Sequence, residues 1–235
     1  MRRWTSRGFT VNKKRQFINT FFALLCVVVF NKSTFAEPPN LSLLMDQIRK
    51  YHDTGAYQKE LTHVIIQADD EMTQRANTNA HSAHPKKLAM VLDIDETSLS
   101  NYNKMLEHQF TYNKKQFHQD ILAADAPVIK PMLLFFDNAL KHGVTLFFIT
   151  GRQESERLAT VKNLTDAGYH NWSGLYMKPT HYNKASIMPF KIASRKTISK
   201  QGYTIIASIG DQESDLKGGY AEKTFKLPNP YYYLH

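Results

Sequence analysis

Cysteine is nearly missing from this chain: Cys26 is the single one among 235 residues. One cysteine builds neither a disulfide framework nor a cysteine-ligated zinc site. Acidic residues are missing from positions 1–36, where Arg2, Arg3, Arg7, Lys13, Lys14, Arg15 and Lys32 stand unopposed. The whole chain carries 30 Lys and Arg against 21 Asp and Glu, a formal charge of +9. Setting those seven aside leaves 23 basic and 21 acidic residues, or +2. The remainder therefore gives no electrostatic case for nucleic-acid binding. Long apolar runs are missing too. The longest, residues 21–30, has 10 residues, about half of what a membrane-spanning helix needs. There are no internal repeats and no low-complexity tracts, and the ten histidines show no H-E-x-x-H spacing. What is present is 42% apolar residues, enough for a core and too many for a disordered tail protein.

Residues 2–15 are basic, residues 17–30 are apolar apart from Asn19 and Thr20, and Thr34-Phe35-Ala36 follows. This is the order of a secretory signal peptide, with a cut expected after Ala36. Leu25 before Cys26 speaks against a lipoprotein, and Arg2-Arg3 lacks twin-arginine flanks. The alternative is an uncleaved anchor. Cleavage would remove Cys26 and leave a secreted or periplasmic domain over 37–235, indifferent to redox state and without stable membrane association. Two N-x-S/T sequons, at Asn163 and Asn171, matter only in a eukaryotic secretory pathway.

Along that domain, Asn40 precedes a helix over 40–51, with Leu41, Leu44, Met45 and Ile48 at helical spacing. A second helix is expected over 57–76, making an N-terminal helical segment over 37–85 whose last part, 77–85, is a polar loop. A buried strand is expected over 88–92, then a polar, aromatic, cap-like insertion over 98–129. Further helices are expected over 130–142, 154–167 and 184–200, the last kinked or restarted at Pro189. Further strands are expected over 144–149, 175–177, 203–209 and 224–227. Strand and helix in alternation imply an α/β fold: a parallel sheet with helices on both faces.

In such a sheet, ligands bind at the carboxyl ends of the strands. Three expected strand ends are polar: Asp93-Ile94-Asp95-Glu96-Thr97, Thr150-Gly151-Arg152 and Gly210-Asp211-Gln212-Glu213-Ser214-Asp215. Brought together they can assemble the four carboxylates of Asp93, Asp95, Asp211 and Asp215 and the Thr150 hydroxyl around one point. Crowded carboxylates repel one another unless a cation lies among them, and hard oxygen donors favour Mg²⁺. A carboxylate-ringed metal with a hydroxyl and a lysine suits phosphoryl transfer. Taken singly, each motif also has a plain reading. Asp93 and Asp95 could mark a solvated turn, Thr150-Gly151 a helix start and Gly210-Asp211 a turn pair. Lys191 stands among Lys184, Arg195, Lys196 and Lys200, as on a solvated helix face, with Lys184 the reserve candidate.

Together these motifs resemble the haloacid-dehalogenase (HAD) superfamily, and within it the subfamily IIIB, class B acid phosphatases. Asp93-Ile94-Asp95-Glu96-Thr97 matches D-x-D-x-T, and Phe190-Lys191 with Arg195 resembles Y-K-x-x-x-R, with Lys191 20 residues before Asp211. Gly210–Asp215 resembles G-D-Q-W-S-D; Ser98-Leu99-Ser100-Asn101 and Leu227-Pro228-Asn229-Pro230 also fit. The departures are Glu213 where tryptophan is common and Phe190 where tyrosine is common. The resemblance implies a HAD-like Rossmannoid sheet and a secreted, Mg²⁺-dependent acid phosphatase acting on small phosphomonoesters through an aspartyl phosphate. It implies Asp93 as nucleophile and metal ligand, and Asp95 as general acid and base, with its carbonyl on the metal. Thr150, Gly151 and Lys191 would hold the phosphoryl oxygens. Asp211 would bind the metal directly, and Asp215 directly or through water. Tyr102, Phe110, Tyr112, Phe117, Trp172 and Tyr231-Tyr232-Tyr233 could stack a nucleobase, making nucleoside monophosphates one candidate substrate class, or could pack the insertion onto the sheet. A weakly active or non-catalytic storage protein on the same fold is the rival reading, which the intact Asp93 disfavours. Asp95 likewise disfavours dehalogenase, phosphonatase and transport-ATPase chemistry.

Overall fold

The computed structural model describes residues 38–234; the expected leader and its cut after Ala36 lie outside the described residues. Helix α1 (Leu41–Asp53) and helix α2 (Ala56–Ala80) are joined at Gly55, whose φ of 79° suits a residue without Cβ. Helix α2 buries Leu61, Ile65, Ala68, Met72 and Ala76, one residue every three or four positions, the stripe that pins a helix to a sheet. Each fully buried Leu or Met contributes roughly 1.5–3 kcal/mol. That stripe keeps the helix going to Ala80, so the expected loop over 77–85 gives its first four residues to α2.

The chain continues as β1 (Lys87–Leu92), α3 (Tyr102–Glu107), α4 (Lys114–Ala123), α5 (Lys130–Lys141) and β2 (Thr145–Gln153). A short 3-10 turn, Glu154–Glu156, leads into α6 (Arg157–Asp166). Then follow β3 (Gly174–Lys178), α7 (Met188–Lys200), β4 (Tyr203–Gly210), α8 (Glu213–Leu216) and β5 (Lys223–Lys226). The five strands are all parallel, in the order β3-β2-β1-β4-β5. Alternate side chains of a strand point to opposite faces, and the core divides accordingly. Leu88, Met90, Leu92, Leu146 and Phe148 pack with α2, α5 and Leu164 of α6 on one face. Ala89, Val91, Phe147 and Ile149 pack with Ile198 of α7 on the other.

Several boundaries differ from the sequence reading. The insertion over 98–129 contains two helices, α3 and α4. Strand β2 runs four residues past its expected end, so Thr150-Gly151-Arg152 lies in strand. Helix α7 starts at Met188 with Pro189 in its first turn, where a missing N–H costs nothing; Pro189 begins the helix and Lys184 lies outside it. Asn163 is buried and donates to the Ala126 carbonyl at 2.8 Å, whereas Asn171 is exposed.

Candidate active site

The sheet register explains why three distant motifs meet. Leu92 pairs with both Phe148 and Ile209, so β1, β2 and β4 bring their carboxyl ends to one edge. The Asp93 N–H donates to the Ile209 carbonyl at 3.0 Å, carrying the first motif one step beyond the sheet. Carboxylate oxygens of Asp93, Asp211 and Asp215, all buried, lie within 4.8 Å of one another.

Lys191 reaches into this group. Its Nζ donates to Asp93 Oδ1 at 2.8 Å and also to Asp215. Burial alone would lower its pKa, but Asp215 and Asp93 outweigh burial and hold the ammonium well above its ordinary range. Burial and then Asp215 push the Asp93 carboxyl up, against the pull of Lys191. Burial and Asp215 also raise Asp211. One ammonium among three carboxylates leaves an excess of negative charge in a buried pocket. Asp211 Oδ2 accepts from Gln212 at 2.5 Å and Asn229 at 2.6 Å, while Oδ1 has only a 3.4 Å contact from Thr97. Asp215 Oδ2 accepts from the Gln212 N–H at 2.9 Å, closing a capping box around α8. All-oxygen donors with an open lone pair and uncompensated charge fit a hard divalent cation.

Helix α7 is polarised. Lys191, Ser194, Arg195 and Ile198 face inward, while Lys196 and Lys200 are exposed. Only part of the basic helix is therefore a solvated face. Arg195 donates not to the carboxylates but to the backbone carbonyls of Asp215 (2.9 Å), Gly219 (3.1 Å) and Lys217, holding the loop that carries Asp215.

Asp95 lies apart from the triad. Arg152 grips it, with Nη2 donating to Oδ1 at 2.7 Å and Nε to both oxygens at 3.1 and 3.2 Å, and Asn101 adds a bond at 2.9 Å. Burial pushes the Asp95 carboxyl up, but the Arg152 charge and its hydrogen bonds prevail and hold it below the ordinary carboxylate value. Glu96, with a left-handed φ of 53°, accepts from the Asn101 N–H at 2.6 Å and the Tyr232 hydroxyl at 2.7 Å. These bonds hold a backbone conformation that costs a non-glycine residue of order 1 kcal/mol. Burial, then Asp95 and Asp211, push the Glu96 carboxyl up to about 8.

One cavity of about 520 Å³ opens over Asp93, Asp95, Gly151, Arg152 and Lys191. Thr150 is fully buried beneath them; its hydroxyl accepts from the Arg152 N–H at 3.1 Å. Phe110, Tyr112, Phe117 and Tyr231–Tyr233 line the walls. Tyr102 instead stacks on His52, ring centres 3.4 Å apart, and Trp172 packs edge-on against Phe148 in the core; neither lines the cavity. Lys184 also lines the cavity, but it is Lys191 that meets the carboxylates. The sequence reading does not assign the grip of Arg152, the bridge of Asn101 or the tail contacts of Asn229 and Tyr232. All four residues lie in or next to quoted motifs; Asn101 bridges to the motif just before it, whereas the partners of Arg152, Asn229 and Tyr232 come from elsewhere in the chain.

Gly210 is set by space rather than by conformation: a Cβ there would fall inside the Asp215 side chain. Gly210→Ala should displace Asp215, cost about 1–3 kcal/mol as an overpacked core site does and lower activity. Urea melts beside steady-state rates check this; an unchanged midpoint with wild-type turnover would contradict the packing.

Residues 29–235 match the family model for the HAD superfamily, subfamily IIIB (acid phosphatase). Over 193 residues the chain is 30% identical to Acid phosphatase 1 of Solanum lycopersicum, covering 80% of this chain and 74% of that protein. It is 35% identical over 157 residues to the Stem 28 kDa glycoprotein of Glycine max, covering 64% of this chain and 61% of that one. Vegetative storage protein 2 of Arabidopsis thaliana is 30% identical over 148 residues, covering 61% and 56%. In fold the chain is similar to the class C acid phosphatase from Bacillus anthracis, with a TM-score of 0.62, 21% identity, and 81% and 86% of the two chains covered. The parallel sheet, the carboxylates at its strand ends and the family match agree, and the chain belongs to subfamily IIIB of the HAD superfamily, a HAD-type hydrolase of the acid phosphatase class.

Proposed function

We propose that the chain is an exported, Mg²⁺-dependent acid phosphatase whose catalytic carboxylates are Asp93 and Asp95. The observation that carries this is the buried Asp93–Asp211–Asp215 group, in which Lys191 joins Asp93 to Asp215, with Asp93 and Lys191 lining the same cavity as Asp95. Asp93 would attack phosphorus, forming an acyl phosphate while the P–O bond to the alcohol breaks. Asp95 would give its proton to the departing alkoxide. It would then take a proton from the water that attacks the aspartyl phosphate, freeing phosphate and Asp93. Lys191 and the backbone at Gly151 would hold phosphoryl oxygens. Thr150 would join them: its hydroxyl accepts from the Arg152 N–H and keeps its own proton to donate to a phosphoryl oxygen. A divalent cation held by Asp93, Asp211 and Asp215, with the Asp95 carbonyl, would neutralise negative charge on the phosphoryl group.

The N-terminal pattern supports export, with residues 1–36 as a cleavable leader and 37–235 as the mature domain. Among the described residues, no helix is long and apolar enough to cross a membrane. The aromatic walls support phosphomonoesters with a flat leaving portion, nucleoside monophosphates among them. The related storage proteins favour no change in this reading, because Asp93 and Asp95 are both present.

Dialysis of the mature protein against EDTA should abolish phosphomonoester hydrolysis, and Mg²⁺ should restore it. Asp211→Asn should weaken metal affinity at least about tenfold with an undiminished melting temperature in metal-free buffer, since it removes one of several repelling carboxylates. Full activity after exhaustive chelation would overturn the site as described.

A further inference from the structure

The chemistry proposed for the cavity uses its floor, yet the outer wall carries charge that the chemistry does not use. The cavity's acids are engaged: Asp93 by Lys191, Asp95 by Arg152, and Asp120 by His108 at 3.0 Å. Glu96 accepts from Asn101 and Tyr232. Lys104 faces Glu107 at 3.9 Å and Asp125 at 3.7 Å. Two lysines in the lining differ. Among the described residues, Lys178 and Lys184 face no carboxylate at ion-pair distance.

Lys178 closes β3 and pairs in register with Gln153, so it stands beside the strand that carries Gly151 and Arg152. It is half-buried. Burial holds its ammonium below the ordinary range, against a distant pull from Glu156, and Lys114 adds like charge. Both oxygens of Glu156 are already engaged: Oε1 by His118 and Oε2 by the Gln153 N–H, each at 2.6 Å. Withdrawing an ammonium from water without an anionic partner is costly. A cavity of about 520 Å³ also leaves room beyond a phosphoryl group for an alcohol of several carbons.

We infer that the alcohol portion of the substrate carries a second anionic group, phosphate or carboxylate, which Lys178 and Lys184 bind while the first phosphate lies at Asp93. This rests on the phosphatase reading of the same cavity and names the substrate class within it.

The test uses the mature protein with Mg²⁺ and α,ω-alkanediol monophosphates of three to six carbons. Each is compared with the matching bisphosphate and with the ω-carboxylate monophosphate. At the chain length that spans the cavity, a second anion should raise kcat/KM about tenfold, the scale of a charge-assisted hydrogen bond. This is beyond the twofold statistical advantage of a bisphosphate. The two anion series show whether phosphate or carboxylate is preferred. The preference should shrink at high ionic strength, vanish in Lys178→Gln and survive in Lys178→Arg. Thermal melts of each variant exclude misfolding as the cause. Monophosphates hydrolysed as well as their bisphosphate and carboxylate partners at every length would overturn the subsite and leave the phosphatase reading standing. A preference that persists in the Lys178→Gln, Lys184→Gln double variant would also overturn it. Failure to hydrolyse any compound would overturn the phosphatase reading, and the subsite with it.

Discussion

Asp93→Asn should leave a folded protein whose phosphomonoester turnover is lower by at least about four orders of magnitude, the scale on which removal of a covalent nucleophile acts in hydrolases. A carboxamide is a far poorer nucleophile than a carboxylate, and its phosphoryl adduct has no easy route of formation. The fold should tolerate the change. Asp93 is one of three buried carboxylates served by a single lysine, and Lys191 keeps Asp215 when Asp93 loses its charge. The Asp93 N–H still reaches Ile209, since that bond is made by the backbone. Without metal, the variant should therefore melt no lower than the wild type, because a repulsion is removed along with one ion pair. Rapid-quench kinetics with an aryl phosphate separates this loss from a folding defect. The wild type should release one equivalent of phenol in a burst while phosphate stays on Asp93; the variant should show no burst. A burst of wild-type size in Asp93→Asn would move the nucleophile elsewhere.

The strands are legible because a buried parallel strand is a short apolar run ending in polar residues, and residues 88–92, 144–149 and 203–209 have that form. Once strand ends are known, register brings Asp93, Thr150 and Asp211 to one edge without further information. Lys191 stands out by its place in a motif. Its inward direction depends on α7 packing against β4 and β2, with Ile198 two turns further along facing the same sheet. What stays hidden is the identity of partners. Arg152 is two residues from Thr150 in sequence, but its pairing with Asp95 depends on how β2 is prolonged past the core. Asn229 and Tyr232 belong to an irregular tail with no periodicity to read, and only the folded chain brings them to Asp211 and Glu96. The aromatic residues show the same limit. Phe110 and Tyr102 both sit in the insertion, yet one lines the cavity and the other stacks on His52. Tyr102 opens α3, whereas Phe110 lies in the turn beyond its end, and no periodicity links the two. Pro189 reads as a kink or a restart because a proline within a basic stretch signals a break; the fold takes the restart, with the helix beginning at Met188.

Asp95→Asn should divide substrates by their leaving group. Arg152 holds the Asp95 carboxyl below its ordinary range, so at neutral pH it is chiefly a carboxylate. A phosphate dianion bound beside it opposes Arg152 and makes a proton easier to hold. Expelling an alkoxide needs that proton; expelling a nitrophenolate does not. For alkyl phosphates the wild-type rate should therefore rise as pH falls towards the acid range, because the protonated fraction of Asp95 grows. For aryl phosphates the first step should depend on pH much less. The carboxamide that replaces Asp95 cannot act as an acid in the first step or as a base in the second. General acid–base assistance is worth about 10²–10⁴ in rate, so alkyl phosphates should lose that factor in the first step and again in the second. Aryl phosphates should lose it only in the second. An aryl substrate with Asp95→Asn should then show a burst of full size followed by a slow steady state, with the phosphoprotein accumulating. The variant leaves Arg152 buried beside a neutral amide, which costs stability, so a folded fraction from thermal melts must accompany the rates. Equal losses for aryl and alkyl substrates, with no accumulated phosphoprotein, would assign Asp95 to holding Arg152 and Asn101 in place. Glu96, whose carboxyl is pushed up to about 8, would then be the acid to test next.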